Sequence, residues 1–404
     1  MRIRIKKQFS ADVIETVYLF SWGIFTAMYI LNSSLLNINI LYKLVSVALC
    51  LPLSAIFLLH KSLKLKQIIL SLILLITMVI GAIVGNKVLF LLSFLFLINS
   101  DRTSFSRILK VSIISVTCMT ISVVCLCMIG LLPDYIFERE GGKIAHSLGF
   151  SFYYNVSTHI LFCSIMYTYV RKTLHFSEIL ILTLLNYLLY KLCTTRLPFY
   201  VYLIFIIAYL VFCKYNVFKS INHKLLKMYS AVAFSSLCIL CVVMALKYDY
   251  RDPVFFEIDQ WVSGRIALSH VAFSRYDIKL FGQYVEMQGN IYGENQFNYF
   301  FIDSGYILGL IQYGLLFTIC FIVMYSILYY YSCITNDKKL FVWISIVALF
   351  NVINGCWTAF VYNPLLFLII PVIKNMKTIK RKVNINKTGE FVHGNFDIYH
   401  HPYL

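Results

Sequence analysis

The feature that most constrains this chain is a set of long apolar runs without a charged residue. Two of them, residues 67–84 and 228–246, approach the roughly 20 residues that an α-helix needs to cross about 30 Å of hydrocarbon. The sequence is 60% hydrophobic and 13% charged, whereas a soluble domain has about 25% charged residues. A transmembrane β-barrel would show short alternating segments instead of continuous blocks. The sequence therefore predicts an all-α protein, a polytopic integral membrane helical bundle.

Hydropathy predicts about twelve membrane-spanning helices, with both chain termini on the cytoplasmic side. The orientation follows from the basic residues, because about two thirds of the 35 Lys and Arg residues fall in the segments that it places inside. The net charge of +17 is thus explained by membrane orientation and contact with anionic lipid, and it does not indicate nucleic-acid binding. The predicted helices cover residues 13–31, 44–59, 67–84, 88–98, 108–132, 156–170, 179–193, 197–213, 228–246, 302–331, 340–359 and 365–373.

The bundle is predicted to form one domain, residues 1–383, followed by a cytoplasmic tail, residues 384–404. The first apolar run lacks a small-residue cleavage site, so we expect it to be retained as a membrane helix. The twelve Cys residues lie almost entirely within predicted helices and show no metal-ligand spacing, so neither disulfides nor a metal site is expected. Two outer loops, residues 133–155 and 247–301, are long, which is typical of functional segments.

The longer outer loop contains a predicted amphipathic helix over residues 258–276. Arg265 lies in the middle of its apolar face, where a guanidinium without an anionic partner costs several kcal/mol. Two interpretations follow: the head of the arginine meets a carboxylate such as Asp303, or it binds an anionic ligand. His270 falls on the opposite face and is expected at the surface.

The shorter outer loop carries the stretch REGGKIAHSLGF, residues 139–150. Gly141 and Gly142 permit turns whose consecutive N–H groups can form an anion-binding nest. Arg139 offers a planar fork that suits phosphate, and His146 is the one imidazole near it in the sequence. An ordinary charged loop accounts for the same residues.

Two further polar residues stand at predicted helix starts. Arg196, in the stretch KLCTTRLPFY, either reaches phospholipid headgroups or contributes to the same anion site. Asp303, in IDSGY, is expected to cap a helix, and Gly305 to let a neighbouring element come close.

Five sequence elements follow one another in order along the chain. They are RxGxxxxHSLGF with a downstream Asn (Arg139, Gly141, 146–150, Asn155), YKLxxxR (190–192, Arg196), SGRIAL (263–268), YxxxLFGQ (Tyr276, 280–283) and DSGY (303–306). Together they resemble the Wzy-type oligosaccharide repeat-unit polymerases, which assemble bacterial capsule, exopolysaccharide and O-antigen. The resemblance spans the fifth to the eleventh predicted helix. It departs at Ala145 and residues 152–154, where many relatives carry a second Arg or a His-Pro, and this concerns sugar contacts more than the fold.

The resemblance implies a lipid-dependent glycosyltransferase of GT-C-like fold in the bacterial cell membrane, with its active site on the extracytoplasmic side. Such an enzyme transfers a growing glycan from undecaprenyl diphosphate onto an incoming lipid-linked oligosaccharide repeat unit, with inversion at the anomeric carbon. Neither a metal nor another cofactor is expected. The implied partners are undecaprenyl-diphosphate-linked oligosaccharide, membrane lipid, a flippase and a chain-length regulator.

The residue types suit that reaction. A diphosphate leaving group gains negative charge as the glycosidic bond breaks, so Arg139, Arg196 and Arg265 are expected to bind it and stabilise the transition state. The acceptor hydroxyl must lose a proton, for which His146 is the first candidate base. Asp303 is the alternative base, or it positions an arginine. Outer-loop aromatic rings either stack on sugars or pack within the loop, namely Tyr284, Tyr292, Phe297, Tyr299 and Phe300.

Three other functions remain alternatives. A lipid-linked oligosaccharide flippase is less favoured, because it should carry charges within its helices and have short loops on both sides. A ligase of the O-antigen type shares the architecture and the chemistry. A non-catalytic envelope scaffold gives no reason for an arginine on an apolar helix face.

Overall fold

The structure, a computed structural model, describes residues 11–60, 65–84, 89–139, 142–215, 223–289 and 299–376. Within these ranges the chain is mostly helical, and the sheet found there is an antiparallel hairpin of β1 (Ile136–Arg139) and β2 (Lys143–His146). The helices are α1 (Ala11–Asn32), α2 (Asn39–His60), α3 (Leu65–Val84), α4 (Leu89–Asn99), α5 (Phe105–Met128), α6 (Tyr154–Val170), α7 (Phe176–Cys193), α8 (Arg196–Tyr209), α9 (His223–Lys247), α10 (Pro253–Trp261), α11 (Arg265–Arg275), α12 (Gly305–Leu308), α13 (Leu315–Thr335) and α14 (Lys338–Ile353).

Seven helical segments of the described residues are long and apolar enough to cross a membrane. Large apolar side chains such as Leu51, Ile114 and Ile181 are exposed on these segments, as expected for residues that face lipid. An α-helical membrane protein is thereby confirmed, whereas the twelve spans, the location of the termini and the GT-C-like fold stay predictions. The tail, residues 384–404, lies outside the described residues. The seven segments are Ala11–Asn32, Asn39–Phe57, Phe105–Met128, Phe176–Cys193, Arg196–Lys214, Lys224–Lys247 and Leu315–Thr335, and Leu75–Val84 and Pro364–Met376 are shorter apolar helices.

Aromatic side chains fill the centre of the bundle, and polar atoms of several of them are hydrogen-bonded internally. The indole N–H of Trp22 in α1 donates to the Ser112 hydroxyl of α5 at 2.8 Å. The Tyr325 hydroxyl of α13 donates to the carbonyl oxygen of Trp357, also at 2.8 Å. Such bonds are needed where no water is available to satisfy polar groups. The core therefore joins the first, the fifth and the late helices into one body.

The prediction of one helix over residues 302–331 is wrong, because the helix is interrupted at Gly314. The short α12 continues into a π-helical turn, and Gly314 then adopts a φ of 93° before α13 begins. The carbonyl oxygens of Lys279 and Leu280 accept hydrogen bonds from the first N–H groups of α13, at 3.0 and 3.1 Å. A segment of the long outer loop thus satisfies the start of α13 in place of a preceding helical turn.

The predicted helix 340–359 likewise ends early, at Ile353. The buried Asn351 side chain accepts hydrogen bonds from the N–H groups of Cys356 at 3.0 Å and Trp357 at 3.2 Å. These bonds hold a tight turn where hydropathy predicts more helix. The other predicted helices match described ones apart from their end residues.

Loops that the sequence places on the extracytoplasmic side lie together at one end of the bundle. The N–H of Leu35, after α1, donates to the carbonyl oxygen of Gly149 at 3.0 Å, and the N–H of Gly355, after α14, donates to that of Asp303 at 2.9 Å. The grouping of these loops at one end agrees with their predicted location on one side of the membrane. Which side of the membrane this end faces stays a prediction. Ion pairs of the opposite end are Arg107–Glu15, Arg171–Glu178 and Lys374–Asp101.

Candidate functional site

Arg265 begins a helix and does not lie in the middle of one. The predicted helix 258–276 is wrong as a single helix, since Ser263 and Gly264 have φ values of 59° and 77° and separate α10 from α11. Apolar and polar residues keep a helical spacing on both sides of this turn. A helical wheel drawn through both segments therefore misplaces the residues beyond the turn.

A buried carboxylate holds the start of α11 in place. Asp259, near the end of α10, accepts hydrogen bonds from the N–H groups of Ile266 at 2.8 Å and Ala267 at 3.2 Å. These donors belong to the first turn of α11 and would otherwise lack a partner. The cap fixes Arg265, the first residue of α11, at the end of the bundle.

His270 is half-buried, which corrects its expected position at the surface. Its Nδ1 lies 2.9 Å from the carbonyl oxygen of Ala245 in α9. The turn before α11 rotates this helix away from the wheel position on which the prediction was based. His270 therefore attaches α11 to α9.

Arg265 pairs with Asp303, the carboxylate that the sequence predicts as its partner, and this interpretation is confirmed. Its Nε lies 3.6 Å from Oδ2 of Asp303, and its Nη1 donates to the carbonyl oxygen of Val262 at 2.9 Å. The two side chains are only 22% and 19% exposed, and Nε makes no hydrogen bond within the described residues. Burial raises the pKa of Asp303, and the neighbouring guanidinium lowers it. The pair is thus partly desolvated and loosely bonded.

Asp303 does not cap α12, which corrects its predicted role. The N-cap position is Ser304, and its side chain makes no capping hydrogen bond. The Asp303 backbone is held by the N–H of Gly355, so its carboxylate turns to Arg265 instead. The close approach predicted at Gly305 is confirmed, because an added Cβ would overlap the Asn351 side chain and the backbone of Gly355.

Two tyrosines connect this pair to the shorter outer loop. The pKa of Tyr299 is raised to about 12, mainly by burial and by the charge of Asp303, and to a smaller extent by Tyr153. The charge of Arg265 acts in the opposite direction. Tyr153 therefore lies within electrostatic reach of Tyr299. The guanidinium carbon of Arg139 lies 5.1 Å from the centre of the Tyr153 ring, a cation–π distance. Arg139 therefore contacts Tyr153, and Tyr299 lies near the Arg265–Asp303 pair.

Of the other outer aromatic residues, Phe300 is packed, as one of the two interpretations predicts. Its ring stacks on Tyr276 at 6.2 Å, and Arg275 lies over it at 4.6 Å. Tyr292 and Phe297 lie outside the described residues.

Arg139 and Arg196 lie at the same corner of the bundle. Nη1 of Arg139 donates to the carbonyl oxygen of Thr194 at 3.4 Å, two residues before Arg196. Thr195 is anchored to α6 by a hydrogen bond to the Ser157 hydroxyl at 2.7 Å. Arg196, the first residue of α8, is exposed. Both guanidinium groups are therefore accessible to lipid headgroups or to a ligand.

His146 is paired with a carboxylate that the sequence analysis missed. Its Nδ1 lies 2.6 Å from Oδ2 of Asp134, whose Oδ1 accepts a hydrogen bond from the N–H of Leu148 at 2.8 Å. A carboxylate at Nδ1 favours the tautomer in which Nε2 is free to accept a proton. The pairing needs the β-hairpin, which brings together residues 12 apart in the chain.

The hairpin places His146 and Arg139 on opposite faces, which corrects their predicted proximity. His146 pairs with Ile136 and Arg139 with Lys143, and side chains alternate faces along a strand. The two residues are also separated by about 10 Å along the hairpin, at ~3.4 Å per residue. In the predicted nest, Gly142 has a φ of 68°, whereas Gly141 lies outside the described residues.

Two shallow grooves among the described residues, neither wide enough to hold a water molecule, lie elsewhere. One is beside Lys339 at the opposite end, and the other is beside Leu280 near the interruption at Gly314. Neither is lined by the three candidate arginines. The three share one end of the bundle, with Arg265 partly buried and the other two open to their surroundings.

His159 is a buried polar residue that has structural partners away from the candidate site. His159, fully buried in α6, lies between the hydroxyl groups of Thr120 at 3.0 Å and Tyr362 at 3.1 Å. Across the described ranges, no group of three or more His, Cys, Asp or Glu side chains could hold a metal ion.

Comparison of the chain with protein-family models, with curated proteins and with solved structures yields no match.

Proposed function

We propose that the protein is a polysaccharide polymerase of the bacterial cell membrane. It transfers a growing glycan from undecaprenyl diphosphate onto an incoming lipid-linked oligosaccharide repeat unit, on the extracytoplasmic side. The observation that carries the proposal is the Arg265–Asp303 pair. Its partly buried guanidinium has an Nε donor that lies 3.6 Å from the carboxylate and has no hydrogen-bond acceptor among the described residues. Buried donors in proteins are nearly always hydrogen-bonded, so an unmatched one suits a ligand that supplies the acceptor.

A lipid diphosphate fits this position by charge and by location. The pair stands where a membrane bundle ends, which is the depth at which a lipid carries its phosphate groups. Arg139 and Arg196 add two exposed guanidinium groups at the neighbouring corner. Asp303 balances the charge of Arg265 in the absence of ligand and holds it ready for a diphosphate oxygen.

The reaction is an inverting displacement at the anomeric carbon of the donor glycan. The acceptor hydroxyl oxygen bonds to that carbon from the face opposite the diphosphate, and the carbon–oxygen bond to the diphosphate breaks. Undecaprenyl diphosphate leaves with the bonding electrons, and its growing negative charge is stabilised by the arginines. This stabilisation is larger in the transition state than in the ground state, which is the condition for catalysis.

Two groups remain candidates to take the proton of the acceptor hydroxyl. Asp134 orients His146 so that Nε2 can accept it, but the hairpin turns His146 to the face away from Arg139. Asp303 adjoins Arg265, and burial raises its pKa and so strengthens it as a base. Its contact with Arg265 puts Asp303 near the diphosphate, whereas the acceptor hydroxyl attacks from the opposite face, so both groups stay candidates.

One observation favours the flippase as a second candidate. Transporter substrate sites are often built from interrupted membrane helices. The interruption between α12 and α13 at Gly314 is of that kind. A flippase would move the lipid-linked repeat unit across the membrane without lengthening it.

The test uses the purified full chain in proteoliposomes with undecaprenyl-diphosphate-linked repeat units. Wild-type protein is expected to produce a ladder of longer glycans, and Arg265→Ala and Arg139→Ala to abolish it. Arg265→Lys keeps the charge but loses the planar fork, so it should retain only part of the activity.

The matched control is Arg275→Ala at the far end of α11, which removes an arginine that stacks on Phe300. It should leave the ladder intact. Normal chain length from both Arg265→Ala and Arg139→Ala would refute the site. Translocation of the lipid-linked unit without chain growth by the wild type would favour the flippase instead.

A further inference from the structure

Helix α10 presents an apolar stripe that no other described part of the chain covers. Val254, Ile258 and Trp261 are spaced four and three residues apart, so they lie along one side of the helix. Val254 is 64% exposed and Trp261 is 78% exposed, and Ile258 between them is partly exposed. Exposure of a large indole is unusual in this chain, since Trp22, Trp343 and Trp357 are at most 1% exposed.

One flank of α10 is attached to the rest of the protein, while Phe256, on the side opposite the stripe, is exposed as well. Asp259 caps α11 and accepts a hydrogen bond from the Tyr248 hydroxyl at 3.3 Å. The ring of Phe255 packs edge-on against Tyr248 at 6.3 Å. The helix is therefore held in one rotation, with the stripe about a third of a turn from the attached flank.

The position of α10 follows directly from a membrane span. The candidate span Lys224–Lys247 has 24 residues and is about 36 Å long at 1.5 Å per residue, which exceeds the ~30 Å hydrocarbon core. Helix α10 begins a few residues after its end. Tyr250 and Arg251 lie in the connection, and Tyr, Trp and Arg are residue types that favour the boundary between hydrocarbon and headgroups.

We propose that α10 lies flat in the interfacial layer of the membrane, with Val254, Ile258 and Trp261 against the phospholipid. An amphipathic helix binds there by burying its apolar face at the boundary between headgroups and acyl chains. Glu257 borders the stripe and faces the headgroups. The surface is a lipid-binding one and does not depend on the proposed enzyme activity.

Trp261 supplies the probe, because the other three tryptophans are buried. The full chain is reconstituted in phosphatidylcholine vesicles whose acyl chains carry bromine at different depths. The emission of Trp261 is obtained as the difference between wild type and Trp261→Phe. Bromine near the headgroup end is expected to quench it more strongly than bromine near the methyl end, and iodide present on both sides of the vesicle is expected to quench it weakly.

Gln260 provides the matched control, since it is exposed and lies about 100° around the helix from Trp261. A tryptophan introduced there, as Gln260→Trp in the Trp261→Phe background, should be quenched by iodide and little by bromine. Quenching of Trp261 by iodide and not by bromine would show that the stripe faces water. Protection from both quenchers would show that protein covers it, and either result would overturn the proposal.

Discussion

Gly282 lies where two backbone segments touch, and we expect a side chain there to force them apart. Its φ is 78°, and an added Cβ would overlap the backbone of Gln312 and Tyr313. Alanine in a left-handed conformation costs about 1–2 kcal/mol, and overpacking adds about 1–3 kcal/mol. The N–H of Gln283 also donates to the carbonyl oxygen of Gln312 at 3.1 Å, a bond whose loss costs about 1 kcal/mol. The expected destabilisation by Gly282→Ala is therefore about 3–6 kcal/mol.

Gly130 is the matched control for this substitution. Its φ is 80°, close to that of Gly282, but nothing lies within 4 Å of an added Cβ. Gly130→Ala should therefore bear the backbone strain alone, about 1–2 kcal/mol. The difference between the two variants isolates the contact between the loop and the start of α13, and it should be about 2–4 kcal/mol.

The measurement is thermal unfolding of the purified full chain in detergent, followed by tryptophan fluorescence. At about 1.2 °C per kcal/mol for a chain of 404 residues, Gly282→Ala should unfold roughly 2–5 °C below Gly130→Ala. Equal unfolding temperatures would refute the reasoning, because the loop could then accept a methyl group at its crossing point.

Two further predictions concern the acid–base groups of the site. Asp134→Asn should lower kcat for chain growth about tenfold or more with little change in KM. Adding His146→Ala should cause no further loss, because both changes disable the same His146–Asp134 pair. Additive losses would contradict the pairing. Burial raises the pKa of Asp303 above its ordinary 3.8, so the folded state binds the proton more tightly than the unfolded state. The stability that this carboxyl contributes is therefore lost as the pH rises through the folded-state pKa. Asp303→Asn should therefore flatten the fall of the unfolding temperature as the pH rises above about 4. A wild-type stability that rises with pH there, and that the substitution flattens, would contradict the sign.

The sequence predicted the class of the protein well because hydropathy reports a property of each segment by itself. It failed at residues 302–331 because a break depends on a distant partner. Gly314 by itself is compatible with an apolar helix. The helix ends there because the first N–H groups of α13 donate to the carbonyl oxygens of Lys279 and Leu280, which are distant in the chain. The local hydropathy pattern does not indicate these hydrogen bonds to a distant segment.

The candidate site was predictable where a residue carried an unmet electrostatic need. A guanidinium on an apolar face requires a carboxylate, and this reasoning found Asp303 for Arg265 despite the wrong helix around it. Asp134 was missed because its need is met by His146, and only strand pairing brings them together. The proximity assumed for His146 and Arg139 was wrong because neighbours on a hairpin alternate faces.

Gly264 and Gly305, in the elements SGRIAL and DSGY, set the backbone beside the two charged residues of the candidate pair, Arg265 and Asp303. Gly264 separates α10 from α11, which puts Arg265 at a helix start, and Gly305 packs against Gly355, which fixes Asp303. The framework and the chemistry are therefore separable by experiment. Arg265→Ala should abolish chain growth at a nearly unchanged unfolding temperature, since its partner is a loosely bonded carboxylate that protonates more readily once unpaired. A large loss of stability in that variant would instead make the pair part of the framework, and the exposed arginines at the neighbouring corner would have to carry the proposed diphosphate binding.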